Sequence, residues 1–221
     1  PETLGYRSLN LVNTATIRSL DGGGSITLAG TNQVFIDASV ETLRADQSIT
    51  LRSDLGDLIL NRSSGRILAA GQLDMQGRDM VVNGPVTSTF VASDATPEIR
   101  FTVARDAYLG GNLSAAMAGG DVSLSAGRLL SMVDSAWSAG SFSLSAQDAV
   151  LGDGAGRGAT IDAGSALSAN LSGRMTVHQG VLLTTRNESS SIHLTAANVT
   201  LAGTVFAGAR VQSGAAVANA D

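Results

Sequence analysis

The sequence lacks cysteine and lysine and is poor in charged residues. Without cysteine, neither a disulfide framework nor a thiolate metal site is available. Charged residues make up 15%, and the net charge of −5 is spread without any run of like charges. The basic stripe that a nucleic-acid partner requires is therefore missing. No apolar run approaches the roughly 18 residues needed to cross a bilayer, so we expect neither nucleic-acid binding nor a membrane-spanning segment.

Aromatic residues are also scarce, at 4% of the 221 residues, although 43% of the chain is apolar. The apolar content is carried by Val, Ile, Leu and Ala, which are small or branched and fill narrow interiors in repeating layers. Proline occurs three times and glycine 26 times. A glycine-rich chain of this kind must first be tested for internal repeats.

A short unit does recur along the chain. It consists of a small or polar residue, an apolar–polar–apolar triplet and a second small or polar residue. The copies are "GSITLAG" (24–30), "QSITLRS" (47–53), "GQLDMQG" (71–77), "PEIRFTV" (97–103), "GDVSLSAG" (120–127), "GSFSLSAQ" (140–147) and "SSIHLTAA" (190–197).

The spacing of these units predicts the length of a coil. Successive apolar anchors lie 19 to 26 residues apart, which indicates solenoid coils of roughly 20–24 residues. A second apolar stretch follows most anchors, and "VETL" and "ATID" suggest a third strand. The anchors are Ile26, Ile49, Leu73, Ile99, Val122, Phe142 and Ile161.

Strict alternation sends Ile26 and Leu28 to one side of a strand and Ser25 and Thr27 to the other. Such short runs, separated by Gly, Asn, Asp and Ser, form a stable sheet only by pairing with equivalent strands of the coils above and below. The sequence therefore predicts an all-β fold, a right-handed parallel β-helix of about ten coils spanning residues 1–221 as a single segment.

The other folds fit less well. No stretch keeps apolar residues at helical spacing for three turns without an interrupting glycine. An antiparallel sandwich needs two-residue hairpin turns between its strands. Asn83-Gly84 and Asp21-Gly22 are the best candidates for such turns, and they are too few.

Three stretches resemble the haemagglutinin repeats of the filamentous haemagglutinin family. They are "GGDVSLSAG" (119–127), "AGSFSLSAQDAVLGDG" (139–154) and "SIHLTAANVTLAGTVFAG" (191–208). The family consists of large bacterial exoproteins exported by two-partner secretion, and the resemblance covers most of the chain from about Leu9 onward. It implies a secreted, surface-associated segment of a longer exoprotein, an outer-membrane secretion partner, and surface receptors bound through the full-length protein. The family's secretion-domain motifs are not evident here, which indicates that this segment belongs to the shaft and not to the export signal.

Two irregular segments interrupt the repeats. Residues 84–108 contain two of the three prolines and the longest anchor interval, and residues 151–162, "LGDGAGRGATID", contain four glycines and two aspartates. Loops inserted into a solenoid project from its side and are better placed than the shaft to bind a partner. A receptor- or glycan-binding module that uses these loops is therefore the alternative to a purely structural role.

The candidate metal ligands lack the partners that a metal site needs. A cation site at Asp153 and Asp162 would require tandem copies of the glycine–aspartate motif, and only one loose copy is present. His178 and His193 are the only histidines, and both are predicted at outward strand positions without further ligands. We predict no metal, cofactor or catalytic residue.

A polysaccharide-cleaving enzyme is the second alternative. Glycoside hydrolases need two carboxyl groups across the scissile bond. The carboxylates that could supply them are Asp54 with Asp57, Asp74 with Asp79, and Asp94 with Glu98 and Asp106. Substrate-binding aromatics are few, with Trp137, Tyr6, Tyr108 and five Phe in all. We therefore expect a non-enzymatic shaft whose unpaired strand edges allow end-to-end self-association.

Overall fold

Each coil of the structure consists of three short parallel strands. The structure is a computed structural model. It describes residues 4–12, 16–19, 23–61, 65–89, 98–115, 119–156 and 158–208. No helix occurs among these residues. The strands in chain order are β1 (Leu4–Leu11), β2 (Thr16–Arg18), β3 (Ile26–Ile36), β4 (Ser39–Glu41), β5 (Ile49–Ser53), β6 (Asp57–Leu60), β7 (Arg66–Ala69), β8 (Leu73–Gly77), β9 (Asp79–Val82), β10 (Val86–Ser88), β11 (Ile99–Val103), β12 (Ala107–Leu109), β13 (Leu113–Ala115), β14 (Val122–Ala126), β15 (Leu129–Met132), β16 (Ala136–Ser138), β17 (Ser141–Ala146), β18 (Asp148–Leu151), β19 (Thr160–Ala163), β20 (Ala166–Leu171), β21 (Arg174–Val177), β22 (Leu182–Thr185), β23 (Ser191–Thr195), β24 (Asn198–Leu201) and β25 (Thr204–Phe206).

Equivalent strands of successive coils pair in parallel and form three faces. The first face contains β5, β8, β11, β14, β17, β20 and β23, and the second contains β6, β9, β12, β15, β18, β21 and β24. Strand β3 joins these two faces, because its first half pairs with β5 and its second half with β6. The third face is a separate nine-stranded sheet that runs from β2 to β25. The predicted parallel β-solenoid is confirmed.

The number of coils is slightly lower than predicted. The third face has nine strands, one for each coil, and only its seven inner strands pair on both sides. The estimate of about ten coils is therefore slightly too high. The third strand predicted in "VETL" and "ATID" is present as β4 and β19.

One predicted anchor belongs to another face. Ile161 lies on β19 of the third face, where it pairs with Ala136 and Leu183. The first-face position that follows Phe142 is Leu167 instead. The corner between β18 and β19 is long, so a strand 19 residues after Phe142 has reached only the third face of the same coil.

Alternation along each strand builds a continuous aliphatic core. In β14, Val122, Leu124 and Ala126 are buried, while Ser123 and Ser125 face outward and are partly exposed. Removal of apolar surface from water stabilises each layer by about 25 cal/mol per Å². The described core runs without interruption from Leu9 to Leu183.

The corner between the third and first faces requires small residues. Its inward positions hold only Ala, Ser or Thr, and all are buried: Ser19, Thr42, Ala69, Ser88, Ala115, Ser138, Ala163 and Thr185. The hydroxyls satisfy backbone groups at the bend. Ser138 Oγ donates to the carbonyl of Gly120 at 3.0 Å, and Thr185 Oγ1 accepts from the amide of Gly208 at 3.0 Å. A buried corner without these bonds would leave backbone polar groups unpaired.

Both irregular segments are partly regular in the structure. Within 84–108, strands β10, β11 and β12 continue the three faces, and residues 90–97 of the longer corner lie outside the described residues. Within 151–162, the irregular part is the corner between β18 and β19, and Arg157 lies outside the described residues. Gly152, Gly154 and Gly156 adopt φ angles of +89°, +70° and +85° there. Residues other than glycine rarely adopt such positive φ angles.

Candidate functional site

An arginine–aspartate ladder follows the corner between the first and second faces. Asp57, Asp79 and Asp106 occupy equivalent positions in three consecutive coils. Each accepts hydrogen bonds from an arginine of the next coil. The donors and distances are Arg78 Nη2 to Asp57 Oδ1 at 3.0 Å, Arg105 Nε to Asp79 Oδ1 at 3.1 Å, and Arg128 Nε to Asp106 Oδ1 at 2.7 Å.

Two carboxylates of this ladder are held in their charged form. Hydrogen bonds from Arg105 and Arg128 hold the pKa values of Asp79 and Asp106, respectively, below their usual range. A general acid in glycoside hydrolysis instead needs a raised pKa, so that its carboxyl group carries a proton near neutral pH. Each carboxylate also aligns the next coil, since Asp79 Oδ1 accepts the amide of Asp106 and Asp106 Oδ1 accepts that of Leu129.

A second ionic cluster lies on the third face of the first three coils. Glu41 is 2% exposed. It accepts hydrogen bonds from Ser39 Oγ at 2.6 Å, from Arg18 Nε at 2.8 Å and from Arg66 of the following coil. The hydrogen bond from Ser39, followed by those from Arg18 and Arg66, lowers the pKa of Glu41 to about 2. This carboxylate therefore ties three coils together and is an anion near neutral pH.

The other candidate carboxylates are dispersed. Asp54 pairs with Arg52 of its own coil, and Asp74 faces outward on the first face, where Oδ2 accepts from Gln76 Nε2 at 3.0 Å. Glu98 is buried at the corner before β11, and Asp94 lies outside the described residues. Asp74 lies on β8 of the first face, whereas Asp79 is the first residue of β9 on the second face. The structure therefore does not bring the two carboxylates together as a facing pair.

The predicted cation and histidine positions are also separated. Asp153 Oδ1 accepts the amide of Ala155 at 2.8 Å, whereas Asp162 lies on the third face and pairs with Arg186. His178 follows β21 at a corner and packs beside Gly154, while His193 faces outward on β23 opposite Ser168. The described part of the chain contains no group of three or more His, Cys, Asp or Glu residues placed to hold a metal ion.

A cluster that was not predicted from the sequence surrounds Trp137. Trp137 and Asp162 are outward neighbours in consecutive coils of the third face. From the next coil, the Arg186 guanidinium lies 4.6 Å from the centre of the indole, and its Nε donates to Asp162 Oδ2 at 2.8 Å. The sequence signal was present, since "AWS" and "TIDA" are equivalent third-face strands, but only their alignment places the three residues together.

The last described coil leaves core positions uncovered. Val199 and Leu201 pair with Met175 and Val177, which are completely buried. Their exposed fractions are nevertheless 48% and 45%. At the other end of the stack, Leu9 is only 9% exposed. The two ends of the described solenoid therefore differ, and the β23–β24–β25 end is the more open one.

No protein-family model, curated protein or solved structure matches this chain. Among the described residues, no helix is long and apolar enough to cross a membrane. Membership of the filamentous haemagglutinin family remains a prediction based on the three resembling stretches.

Proposed function

We propose that the protein is a non-enzymatic shaft segment of a secreted bacterial exoprotein of the filamentous haemagglutinin type. It would project a binding or effector region from the cell surface, and export would use an outer-membrane secretion partner. The observation that carries this proposal is the unbroken stack from β1 to β25, in which every inner coil pairs with both neighbours around one aliphatic core.

Such a stack transmits force through its backbone and its side-chain ladders. Nine coils at about 4.8 Å each give a rod roughly 40 Å long. The ladder from Asp57 to Arg128 joins four consecutive coils at one corner, and Glu41 joins three coils on the third face. These ion pairs hold neighbouring coils in register, because a slip of one residue between two coils would break them.

The open β23–β24–β25 end supports the idea that strand pairing at this edge extends the shaft. The exposed Val199 and Leu201 occupy positions that the inner coils bury beneath a following coil. Either further coils or a second copy of the chain can supply parallel strands and an apolar layer to this edge. End-to-end self-association is therefore part of the proposal.

Single-molecule force spectroscopy tests the mechanical role. The chain is pulled from its two termini, so that coils unravel successively from the ends. Release of one coil of roughly 20 to 25 residues lengthens the chain by about 7–9 nm, and we expect a series of such steps. Unfolding in one event at low force would contradict the shaft, and cleavage of uronic-acid polymers would contradict the absence of enzymatic activity.

A further inference from the structure

A groove on the third face crosses three consecutive coils beside Trp137. Its volume is about 500 Å³, which lies within the range of small-ligand sites. It opens to solvent along the corner between the second and third faces. Its polar and aromatic lining residues are Asn112, Ser114, Asp134, Ser135, Trp137, Thr160 and Asp162.

Trp137 forms a pre-positioned wall of this groove. Arg186 stacks on the indole at 4.6 Å from the ring centre and is held by two contacts to Asp162 Oδ2, at 2.8 Å from Nε and 2.7 Å from Nη2. Arg186 is not among the residues that line the groove, although its partner Asp162 is. An aromatic ring fixed in this way loses little conformational freedom when a ligand binds.

The remaining lining groups are suited to hydroxyl groups. Within the described ranges, the side chains of Asn112, Ser114 and Thr160 have no hydrogen-bonding partner, so they are available to a ligand. Asp134 Oδ1 accepts the amide of Ser135 at 2.8 Å, which orients its carboxylate at the rim. Asp162 Oδ1 is buried and accepts no hydrogen bond. The groove therefore offers one aromatic surface surrounded by neutral donors, neutral acceptors and the carboxylate of Asp134.

This combination favours a sugar ring over other ligands. The C–H face of a pyranose packs against an indole, and its hydroxyls both donate to carboxylates and accept from amide and hydroxyl groups. A sulfated or uronic-acid ligand is disfavoured, because two aspartates and no arginine line the groove. An apolar ligand would leave the polar groups without partners.

We propose that this groove binds a neutral pyranose unit of a surface glycan. The site goes beyond the shaft function, since it makes the side of the rod a lateral glycan contact. It lies outside the segment 84–108 and shares only Thr160 and Asp162 with the segment 151–162, because its floor consists of the regular strands β13, β16 and β19.

The single tryptophan of the chain provides a direct probe. Intrinsic fluorescence is followed while the whole chain is titrated with cellohexaose, mannohexaose or N-acetylchitohexaose, and affinities are measured by calorimetry. A heparin hexasaccharide and an arginine-rich peptide serve as the charged comparisons. We expect a saturable emission change with at least one neutral hexasaccharide and none with heparin.

Variants place the binding at the groove. By calorimetry, Trp137→Ala is expected to weaken binding at least about fivefold, because the stacking contact is lost. Trp137→Phe should retain part of the affinity. Tyr108→Ala removes an exposed aromatic from the second face, where Tyr108 is 41% exposed, and should leave affinity unchanged. Circular dichroism confirms that each variant folds.

Three results would overturn the proposal: no saturable signal with any neutral hexasaccharide, unchanged affinity in folded Trp137→Ala, or tighter binding of the arginine-rich peptide than of every glycan. None of these results bears on the force measurement. Failure of the glycan site and failure of the shaft are therefore distinguishable.

Discussion

Arg105 reaches from its own coil to Asp79 of the preceding coil and contacts both oxygens of that carboxylate. Nε donates to Oδ1 at 3.1 Å, and the terminal nitrogen donates to Oδ2. Two parallel hydrogen bonds between a planar guanidinium and a carboxylate constrain direction as well as distance. The pair therefore aligns the two coils, and the same geometry recurs between Arg128 and Asp106.

Removing this contact is expected to weaken the solenoid slightly and in a salt-dependent way. Asp79→Asn should lower the urea midpoint at low ionic strength, and the difference from the wild type should shrink in about 1 M NaCl, where charges are screened within about 3 Å. Glu188→Gln removes an exposed carboxylate that has no ion pair among the described residues. Glu188→Gln should leave the urea midpoint unchanged at both ionic strengths. A salt-independent loss in Asp79→Asn would contradict the electrostatic role.

Glu41 makes stability dependent on pH. Its pKa is about 2 in the folded protein, whereas the ordinary pKa of a glutamate side chain is 4.5. A lowered pKa contributes stability that is complete above about pH 4.5 and is lost as the pH falls towards 2. Asp79 and Asp106 act in the same direction at low pH. Thermal unfolding between pH 7 and 2 should therefore show falling stability below about pH 4.5.

Glu41→Gln tests the contribution of this one carboxylate. The variant should lose about 1–3 kcal/mol at neutral pH, because hydrogen bonds to a buried charged group are replaced by weaker ones. Its acid-induced loss of stability should be smaller than that of the wild type. An identical pH profile for the two proteins would show that Glu41 does not titrate as proposed.

Adjacent residues of β17 should respond very differently to truncation. Phe142 is fully buried, whereas Ser143 faces outward in the same strand. Phe142→Ala should cost about 3–5 kcal/mol, because the narrow core cannot collapse around the cavity. Ser143→Ala should change stability by less than about 0.5 kcal/mol. Urea unfolding followed by circular dichroism measures both, and equal effects would contradict the predicted alternation.

Two glycines provide a matched test of the corners. A Cβ at Gly56 would overlap the carbonyl oxygen of Asn32 in the preceding coil, whereas a Cβ at Gly24 meets no atom within 4 Å. Gly56→Ala should therefore shift the backbone of the corner and lower the melting temperature. Gly24→Ala should leave it unchanged or raise it slightly by restricting the unfolded chain. Equal melting temperatures for the two variants would mean that the corner tolerates a side chain.

The open end of the stack should mediate concentration-dependent association. Leu201→Glu places a charge at a 45% exposed core position and should reduce self-association in sedimentation velocity. Leu55→Glu makes the same change on the side of the rod, where Leu55 is 66% exposed, and should have no effect. A wild-type chain that stays monomeric at all concentrations, or equal effects of the two variants, would contradict end-to-end pairing.

Local patterns were sufficient to predict the fold class. Alternation in segments such as "DVSLSA" predicted which side chains of β14 are buried, and the recurring spacing predicted stacked coils. Ile161 was misassigned because alternation looks the same on every face. Whether such a strand starts a coil or ends it depends on the length of the preceding corner, and pairing with Ala136 decides this.

The polar contacts depend on tertiary structure in a different way. Asp79 and Arg105 are 26 residues apart, and Asp162 and Arg186 are 24 residues apart. These separations are close to one coil length, but each corner adds or removes residues. Only the actual register shows which side chains become neighbours. For this reason Asp57, Asp79 and Asp106, which sequence reasoning considered for catalysis, are found in ion pairs between coils. Asp74 lies on a different face from Asp79.

The sequence by itself determined that this protein is a parallel β-solenoid with an aliphatic core, because side-chain alternation and small corner residues are local properties of the chain. Only the tertiary structure decided the number of coils, the arginine–aspartate ladder, the groove at Trp137 and the exposed edge at Val199 and Leu201. Those features arise between coils, where the backbone pairing register and the corner lengths set which distant residues meet.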